Sequence, residues 1–153
     1  MNYNTHTLPN GIRIIHAPRP SAVAYCGFAI DAGTRDEDTG QQGMAHFVEH
    51  LLFKGTEKRR AWHILNRMEH VGGDLNAYTS IDETVYNIDN VPMSVAGAVD
   101  SCLWILHDWA GALLLEDEDI DKERGVIHEE WRQRNTAQQR MMEAVSLKMY
   151  PGS

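Results

Sequence analysis

The sequence predicts an α+β fold in which helices pack on one face of a mainly antiparallel sheet. An Asn-Gly turn signal at residues 10–11 lies between apolar-rich strand candidates and predicts a hairpin over residues 3–16. Other segments repeat their apolar side chains with the spacing of a helix face. The 153 residues, 42% of them apolar and 24% charged, are enough for one soluble domain with a hydrophobic core.

The next elements are one strand and two helices. "AVAYCGFAIDAG" predicts a third strand, and the polar stretch "GTRDEDTGQQG" predicts a loop that ends at Gly43, where a helix begins. "MAHFVEHLLFKG" predicts a helix of about three turns that ends at Gly55. "GTEKRR" predicts a solvated loop and the start of a second helix, "KRRAWHILNRMEHVGG". The helical spacing in that segment is carried by Trp62, Leu65, Met68 and Val71.

The second half predicts two strands followed by helices. "DLNAYTS" and "ETVYNIDNV" carry the β-branched and aromatic residues of strands, with a turn near residues 81–82. Residues 92–115 predict a long, mostly buried helix, and the acidic cluster "EDEDID" leads into another helix, "KERGVIHEEWRQRN". The chain ends at "KMYPGS", a turn signal rather than a finished element. This ending predicts that the fold is incomplete within the chain.

Charge and cysteine content limit the function classes. The 14 Lys and Arg against 22 Asp and Glu give a formal net charge of -8, which disfavours nucleic acid and anionic membrane surfaces as partners. The apolar segment 95–115 contains charged residues, which argues against a membrane span. The N-terminus lacks the pattern of a secretion or organelle signal, so we expect a cytoplasmic protein. Cys26 and Cys102 are then expected to be reduced core residues.

Two histidines and a glutamate lie in the otherwise apolar stretch "GMAHFVEHLLFKG", residues 43–55. On a helix, His46 and His50 lie one turn apart on the same face, where their ring nitrogens can converge on one ion. Glu49 can flank that ion without ligating it. This His-x-x-Glu-His order reverses the His-Glu-x-x-His signature and provides the same two ligands and a base. The alternative is a pair of hydrogen-bonded core histidines with a surface glutamate.

A third ligand would favour the metal interpretation, because catalytic zinc generally takes three protein ligands. The candidates in "IDKERGVIHEEWRQRN" are Glu129 and Glu130. On a helical wheel, Glu130 and Glu123 fall inside the apolar arc, and Glu129 falls outside it. The arc consists of Ile120, Val126, Ile127 and Trp131. A carboxylate that points inward requires a cation, which is either a metal ion or an arginine beside Glu130.

These residues resemble the inverzincin peptidases of the pitrilysin, insulin-degrading enzyme and mitochondrial processing peptidase type. The likeness is closest to the processing-peptidase-like branch. It runs through "LPNGIRII", "DAGTRDED", "GMAHFVEHLLFKGT", "GGDLNAYTSIDETVY" and "KERGVIHEEW", and so covers nearly the whole chain. The resemblance implies a processing-peptidase-like metallohydrolase fold and zinc-dependent endopeptidase activity. It also implies that residues 1–153 are the N-terminal part of the first, zinc-binding domain, with later domains absent from this chain.

The resemblance assigns roles to individual residues at the centre. His46 and His50 match the first two zinc ligands, Glu49 matches the general base, and Glu130 matches the third ligand. Glu123 matches an acidic residue that supports the ligands from behind. The interval from His50 to Glu130 is a few residues longer than is usual in the family.

Substrate and partner contacts are also implied by the resemblance. The strand "DLNAYTS" would pair with the substrate backbone as an extra strand, so that Asn76 and Ala77 contact the peptide; an ordinary edge strand is the alternative. The family builds a chamber from homologous domains, which implies a homodimer or pairing with a homologous subunit or domain.

Two other functions remain open from the sequence. S-ribosylhomocysteine lyases also carry His-x-x-Glu-His, with a cysteine as third ligand, and Cys102 is the downstream candidate. That alternative leaves "NAYTS" and "ERGVIHEE" unexplained. A non-catalytic scaffold subunit of the peptidase family is the second alternative, and the intact motif argues against it.

Overall fold

The computed structural model describes residues 2–70 and 72–150, and its strands there form two antiparallel sheets. The first sheet pairs β1 (Asn4–Thr7) with β2 (Arg13–His16). The second has the order β3 (Val23–Ile30), β5 (Thr84–Pro92), β4 (Asp74–Thr79). The hairpin predicted over residues 3–16 is present, and the strands predicted further on form the larger sheet.

The described residues form five α-helices. They are α1 (Met44–Leu52), α2 (Ala61–Glu69), α3 (Ala98–Gly111), α4 (Asp117–Arg134) and α5 (Ala137–Met149). Helices α1, α2 and α3 contact the sheet, and α4 contacts α1. The predicted α+β class, with helices on one face of an antiparallel sheet, is confirmed. Among the described residues, no helix combines the length and apolar character needed to cross a bilayer.

The core lies between β5 and the helices. Along β5, Tyr86, Ile88 and Val91 are completely buried. The opposing face of α3 contributes Cys102 and Trp109, which lie about two turns apart with Ile105 and Leu106 of the same cluster between them. Tyr86 and Ile88 follow the period-two alternation of a strand, whereas Val91 comes three residues after Ile88, following Asn90 with its positive φ of 56°. The buried face of α3 follows the helical repeat.

Helix α3 begins later than the sequence predicts. Residues 92–97 belong to the end of β5 and to turns, and the helix starts at Ala98 after Gly97, whose φ is 75°. Val95, which the helical pattern included, is 42% exposed. The predicted start was too early because Val95, although exposed in the turn, continues the apolar spacing of Val99 and Cys102.

Only part of the apolar stripe that predicts α2 is buried, since Met68 of that stripe lies in the core. Trp62 is 66% exposed and Leu65 is 39% exposed, whereas Ile64 and Met68 lie in the core. Helix α2 therefore packs through residues four positions apart rather than through the three-residue spacing read from the sequence. Val71, the last member of that stripe, lies outside the described residues.

Helix α5 is absent from the sequence prediction. Its apolar side chains, including Met141, Val145 and Leu147, are exposed, so no buried face marks the segment. A local signal was present: the Thr136 hydroxyl oxygen accepts a hydrogen bond from the Gln139 amide at 3.2 Å. Thr-x-x-Gln before a helix is a known start pattern.

Candidate metal centre

Helix α1 is held at its N-terminus by a residue of the preceding loop. The two carboxylate oxygens of Glu37 accept hydrogen bonds from the backbone amides of Gly43 and Ala45, each at 2.8 Å. A carboxylate at this end also interacts favourably with the helix dipole. Glu37 thus fixes the start of the helix that carries His46. Sequence reasoning missed this contact, although "TRDED" supplies acidic residues just before the helix.

The two histidines of α1 converge as the spacing predicts. His46 Nε2 and His50 Nε2 are 3.2 Å apart, and the rings meet edge to face with centroids 4.6 Å apart. Both side chains are partly buried, with 25% and 19% exposed. Two ring nitrogens of neighbouring histidines therefore point at one small region.

Glu123 of α4 determines which ring nitrogen of His50 is available to bind a metal ion. Its Oε1 lies 2.8 Å from His50 Nδ1, and its Oε2 lies 2.5 Å from Lys54 Nζ. Burial raises the pKa of Glu123, but the hydrogen bonds from Lys54 and His50 outweigh that effect and hold the pKa below its usual value. An ionised Glu123 only accepts hydrogen bonds, so His50 donates through Nδ1 and its Nε2 carries the lone pair.

Glu130 of α4 completes a group of three donors. Its carboxylate oxygens lie 3.7 Å from His46 Nε2 and 3.7 Å from His50 Nε2. The three candidate ligand atoms all lie within 4.8 Å of one another. Two imidazoles and a carboxylate are a donor set that suits zinc. The arginine expected by the alternative interpretation is also present, since Arg134 approaches Glu130 at 3.6 Å.

The orientation of α4 differs in one respect from the helical-wheel argument. The carboxylates of Glu123 and Glu130 face α1, as predicted, but Val126 is 45% exposed and Trp131 is 59% exposed. Helix α4 therefore contacts α1 through its carboxylates. Polar contacts between the two helices, rather than burial of the whole apolar arc, set the orientation.

Glu49 lies beside the donors and is 9% exposed. Its Oε2 accepts a hydrogen bond from the Thr79 hydroxyl at 2.6 Å, so the end of β4 holds the carboxylate. Burial, together with the negative charge of Glu49, raises the pKa of the Tyr86 phenol well above its usual value. Glu49 is thus a buried carboxylate with one oxygen fixed by Thr79.

Asn76 and Ala77 lie on β4 and do not belong to the group of three donors. In the described part of the chain β4 pairs with β5 alone, so its other side is an edge. Asn76 is exposed and Ala77 packs against the core. Helix α1 contacts this strand, and Thr79 at its end reaches Glu49. The predicted substrate strand and the predicted base are therefore connected.

A groove of about 1250 Å³ opens next to the donors, between the start of α1 and helices α4 and α5. His46 and Glu130 form part of its wall, together with Met44, Phe47 and Trp131. An extended chain lying in this groove would pass directly beside the candidate ligands.

Cys102 is not part of this centre. It is completely buried in the core on α3, and among the described residues the group that could hold a metal ion consists of His46, His50 and Glu130. The ligand set expected for a lyase of the S-ribosylhomocysteine type is therefore not formed.

Fold and centre together define an α+β metal-binding domain of the His-x-x-Glu-His class. A sequence profile described as Insulinase (Peptidase family M16) matches residues 13–152. The chain therefore belongs to the insulinase family.

Similar proteins include some that are named zinc proteases or peptidases. An uncharacterised zinc protease of Streptomyces coelicolor is 39% identical over 125 residues, 81% of this chain. The mitochondrial-processing peptidase subunit beta of Saccharomyces cerevisiae is 41% identical over 125 residues, 80% of this chain. The crystal structure of the periplasmic protease PqqL from Escherichia coli superimposes on 93% of the chain, with a TM-score of 0.82 and 35% identity.

The chain spans only part of each of these proteins. It covers 26% of the Streptomyces protein, 26% of the yeast subunit and 16% of PqqL. The names of the relatives support zinc as the cofactor, and His46, His50 and Glu130 form the group that fits it.

Proposed function

We propose that the protein containing this chain is a zinc-dependent endopeptidase that hydrolyses peptides or unfolded segments. The observation that carries the proposal is the convergence of His46, His50 and Glu130 within 4.8 Å of one another, with Glu49 next to them on the same helix. The names of the relatives support the same activity. Residues 1–153 would be the N-terminal part of its first, zinc-binding domain.

Three residues of this chain supply donor atoms that fit zinc. His46 and His50 offer Nε2, and Glu130 offers a carboxylate oxygen. Glu123 holds His50 in the tautomer that presents Nε2, and Lys54 keeps Glu123 ionised. A bound zinc ion supplies Lewis acidity, which lowers the pKa of a water molecule towards ~7 and polarises the scissile carbonyl.

Glu49 acts as the general base in this proposal. Thr79 fixes its Oε2, so the other oxygen accepts the proton of the attacking water. The protonated carboxyl then returns this proton to the amine that leaves when the peptide bond breaks. Because Glu49 is buried, solvent competes little for its hydrogen bonds.

The substrate would add to β4 as an extra strand. Its edge is open in the described part of the chain, and Asn76 and Ala77 lie in the middle of the strand. Asn76 would offer its exposed amide, and Ala77 would leave room for close approach of the peptide. Asn76→Ala should then raise KM with a smaller change in kcat.

Partners and location are proposals of the same kind. The likeness to a subunit called beta supports pairing with a homologous subunit or domain, or a homodimer, and sedimentation analysis tests it. We propose a cytoplasmic location, although the Escherichia coli relative is described as periplasmic. Cell fractionation distinguishes the two locations.

Glu49→Gln and Glu130→Gln test the activity in the whole protein that contains the chain. Zinc content and cleavage of an unfolded peptide are measured for both variants and for Glu129→Gln, whose side chain pairs with Arg132. Glu49→Gln should keep zinc and lose cleavage, and Glu130→Gln should lose both. The control should keep both.

Two results would contradict these roles. Cleavage retained by Glu49→Gln removes the base assignment, and unchanged zinc content in Glu130→Gln removes the third ligand. A wild-type protein that binds zinc, pairs with a homologous subunit and cleaves nothing would instead support the scaffold alternative.

A further inference from the structure

Cys26 and Cys102 face one another across the core. On β3, Cys26 lies on the same side as Ala24 and Phe28, which pack against the core, while Tyr25 on the opposite side is 67% exposed. On α3, Cys102 is on the buried face and is 0% exposed. The strand and the helix pack together, and the two thiols are hydrogen bonded to each other.

The pair differs from two unrelated core cysteines. A side chain on a strand and one on a helix that packs across it are brought together only by the tertiary fold. Cys26 is only partly buried, whereas Cys102 is completely buried. Neither cysteine belongs to the group that could hold a metal ion in residues 2–70 and 72–150.

We propose that Cys26 and Cys102 form an intramolecular disulfide, which joins β3 to α3, when the chain meets a small disulfide of the glutathione type. The Cys26 thiolate attacks one sulfur of oxidised glutathione, forming a mixed disulfide and releasing one glutathione thiolate. Cys102 then gives up its proton to solvent and attacks the Cys26 sulfur. The second glutathione leaves as a thiolate, so oxidised glutathione is reduced to two thiols and the protein dithiol is oxidised.

The environment assigns the two sulfurs different parts in this exchange. The hydrogen bond from Cys102 lowers the pKa of Cys26 to about 7, although burial acts in the opposite direction. The same hydrogen bond, with burial and the charge of Cys26, raises the pKa of Cys102. Cys26 is therefore the attacking thiolate, and Cys102 reacts second, within the protein.

Peptide mapping of the 153-residue chain under non-reducing conditions tests the proposal. After incubation with oxidised glutathione, we expect a monomer in which the Cys26 and Cys102 peptides are linked. The equilibrium constant for forming the Cys26–Cys102 disulfide from oxidised glutathione should be at least about tenfold larger in buffer than in urea. The reason is that a fold that aligns the two thiols stabilises the disulfide. The oxidised chain should also unfold at a higher temperature than the reduced chain.

Specific outcomes overturn the proposal. A stable glutathione adduct at Cys26 with no link to Cys102, disulfide-linked dimers as the main product, or equal equilibrium constants in buffer and urea would each do so. Cys26→Ser is the matched variant, because residue 26 is only half-buried and should tolerate serine. Oxidised glutathione should neither modify the Cys26→Ser chain in buffer nor shift the unfolding temperature of that chain. The mapping of the wild-type chain needs no variant, so a poorly folded mutant leaves the test intact.

Discussion

Glu123 is the residue through which the candidate metal centre is connected to the surrounding fold. It is 3% exposed and bonds both His50 and Lys54, so one carboxylate of α4 fixes two side chains at the end of α1. A buried carboxylate at this place needs both partners to remain ionised. Its charge then increases the electron density that His50 offers to an ion.

Glu123→Gln should weaken zinc binding by about 10–100-fold. The amide is a weaker acceptor for His50 Nδ1, and it leaves the Lys54 ammonium without its counterion. Zinc titration of the purified chain against a chromogenic chelator measures the change.

Glu118→Gln is the control for that titration. Glu118 lies on the same helix, with its side chain 78% exposed and paired only with Lys122. Removing its charge should leave zinc affinity unchanged. Equal affinity for wild type and Glu123→Gln, with circular dichroism unchanged, would show that the contact to His50 does not support the metal.

Sequence reasoning at this scale identified the side chains of α1 and α4 but not those that hold them. Helical periodicity places His46 beside His50 and turns Glu123 and Glu130 inward, because these are relations within one helix. The contacts of Glu37, Lys54 and Thr79 depend on loops and strand ends brought together by the tertiary fold. No periodic pattern encodes those contacts.

Gly33 controls how the loop before α1 packs against the turn between β4 and β5. The amide of Thr34 donates to Ser80 O and that of Arg35 to Ile81 O, both at 3.0 Å. A Cβ on Gly33 would lie 2.4 Å from Ile81 O, which is far inside contact distance. The loop that delivers Glu37 to α1 can approach the turn only because this residue has no side chain.

Gly33→Ala should lower the free energy of unfolding by about 2–3 kcal/mol, because backbone rather than a flexible side chain must move. Gly125→Ala is the matched control in α4, where a Cβ would meet nothing within 4 Å. That change should raise stability by roughly 0.5–1 kcal/mol, because alanine favours a helix over glycine. Urea unfolding of both variants measures the difference. Equal stabilities for Gly33→Ala and wild type would contradict the close approach.

Element types were more predictable than element faces and ends. Helices α1 and α2 carry strong local periodicity, whereas α5 has no buried residue. Helix α2 buries Ile64 and Met68 because the sheet and α3 lie on that side, which spacing alone does not determine. The start of α3 was misplaced because Val95, in the exposed turn between β5 and α3, continues the helical spacing of apolar residues.

Asp108 joins parts of the whole molecule that are distant in sequence. It is completely buried near the end of α3 and pairs with Arg59, with Lys58 at 3.4 Å and with His107 at 3.3 Å. In the segment between α1 and α2, the backbone amide of Glu57 also donates a hydrogen bond of 2.8 Å to the carbonyl of Ala112, which follows α3. "GTEKRR" was predicted to be a solvated loop, but two of its cations are used to bind α3.

Asp108→Asn should destabilise the chain by about 2 kcal/mol, because it leaves the cations of the 53–60 segment without their buried counterion. The loss stays below the ~3–5 kcal/mol of a fully buried pair, since Lys58 and Arg59 still reach solvent. Asp100→Asn is the control: Asp100 is exposed in the first turn of α3, and its loss should cost only about 0.3–1 kcal/mol. Urea unfolding compares the two, and equal losses would contradict a special role for Asp108.

Because the 53–60 segment directly follows α1, Asp108→Asn should also weaken zinc binding, whereas Asp100→Asn should not.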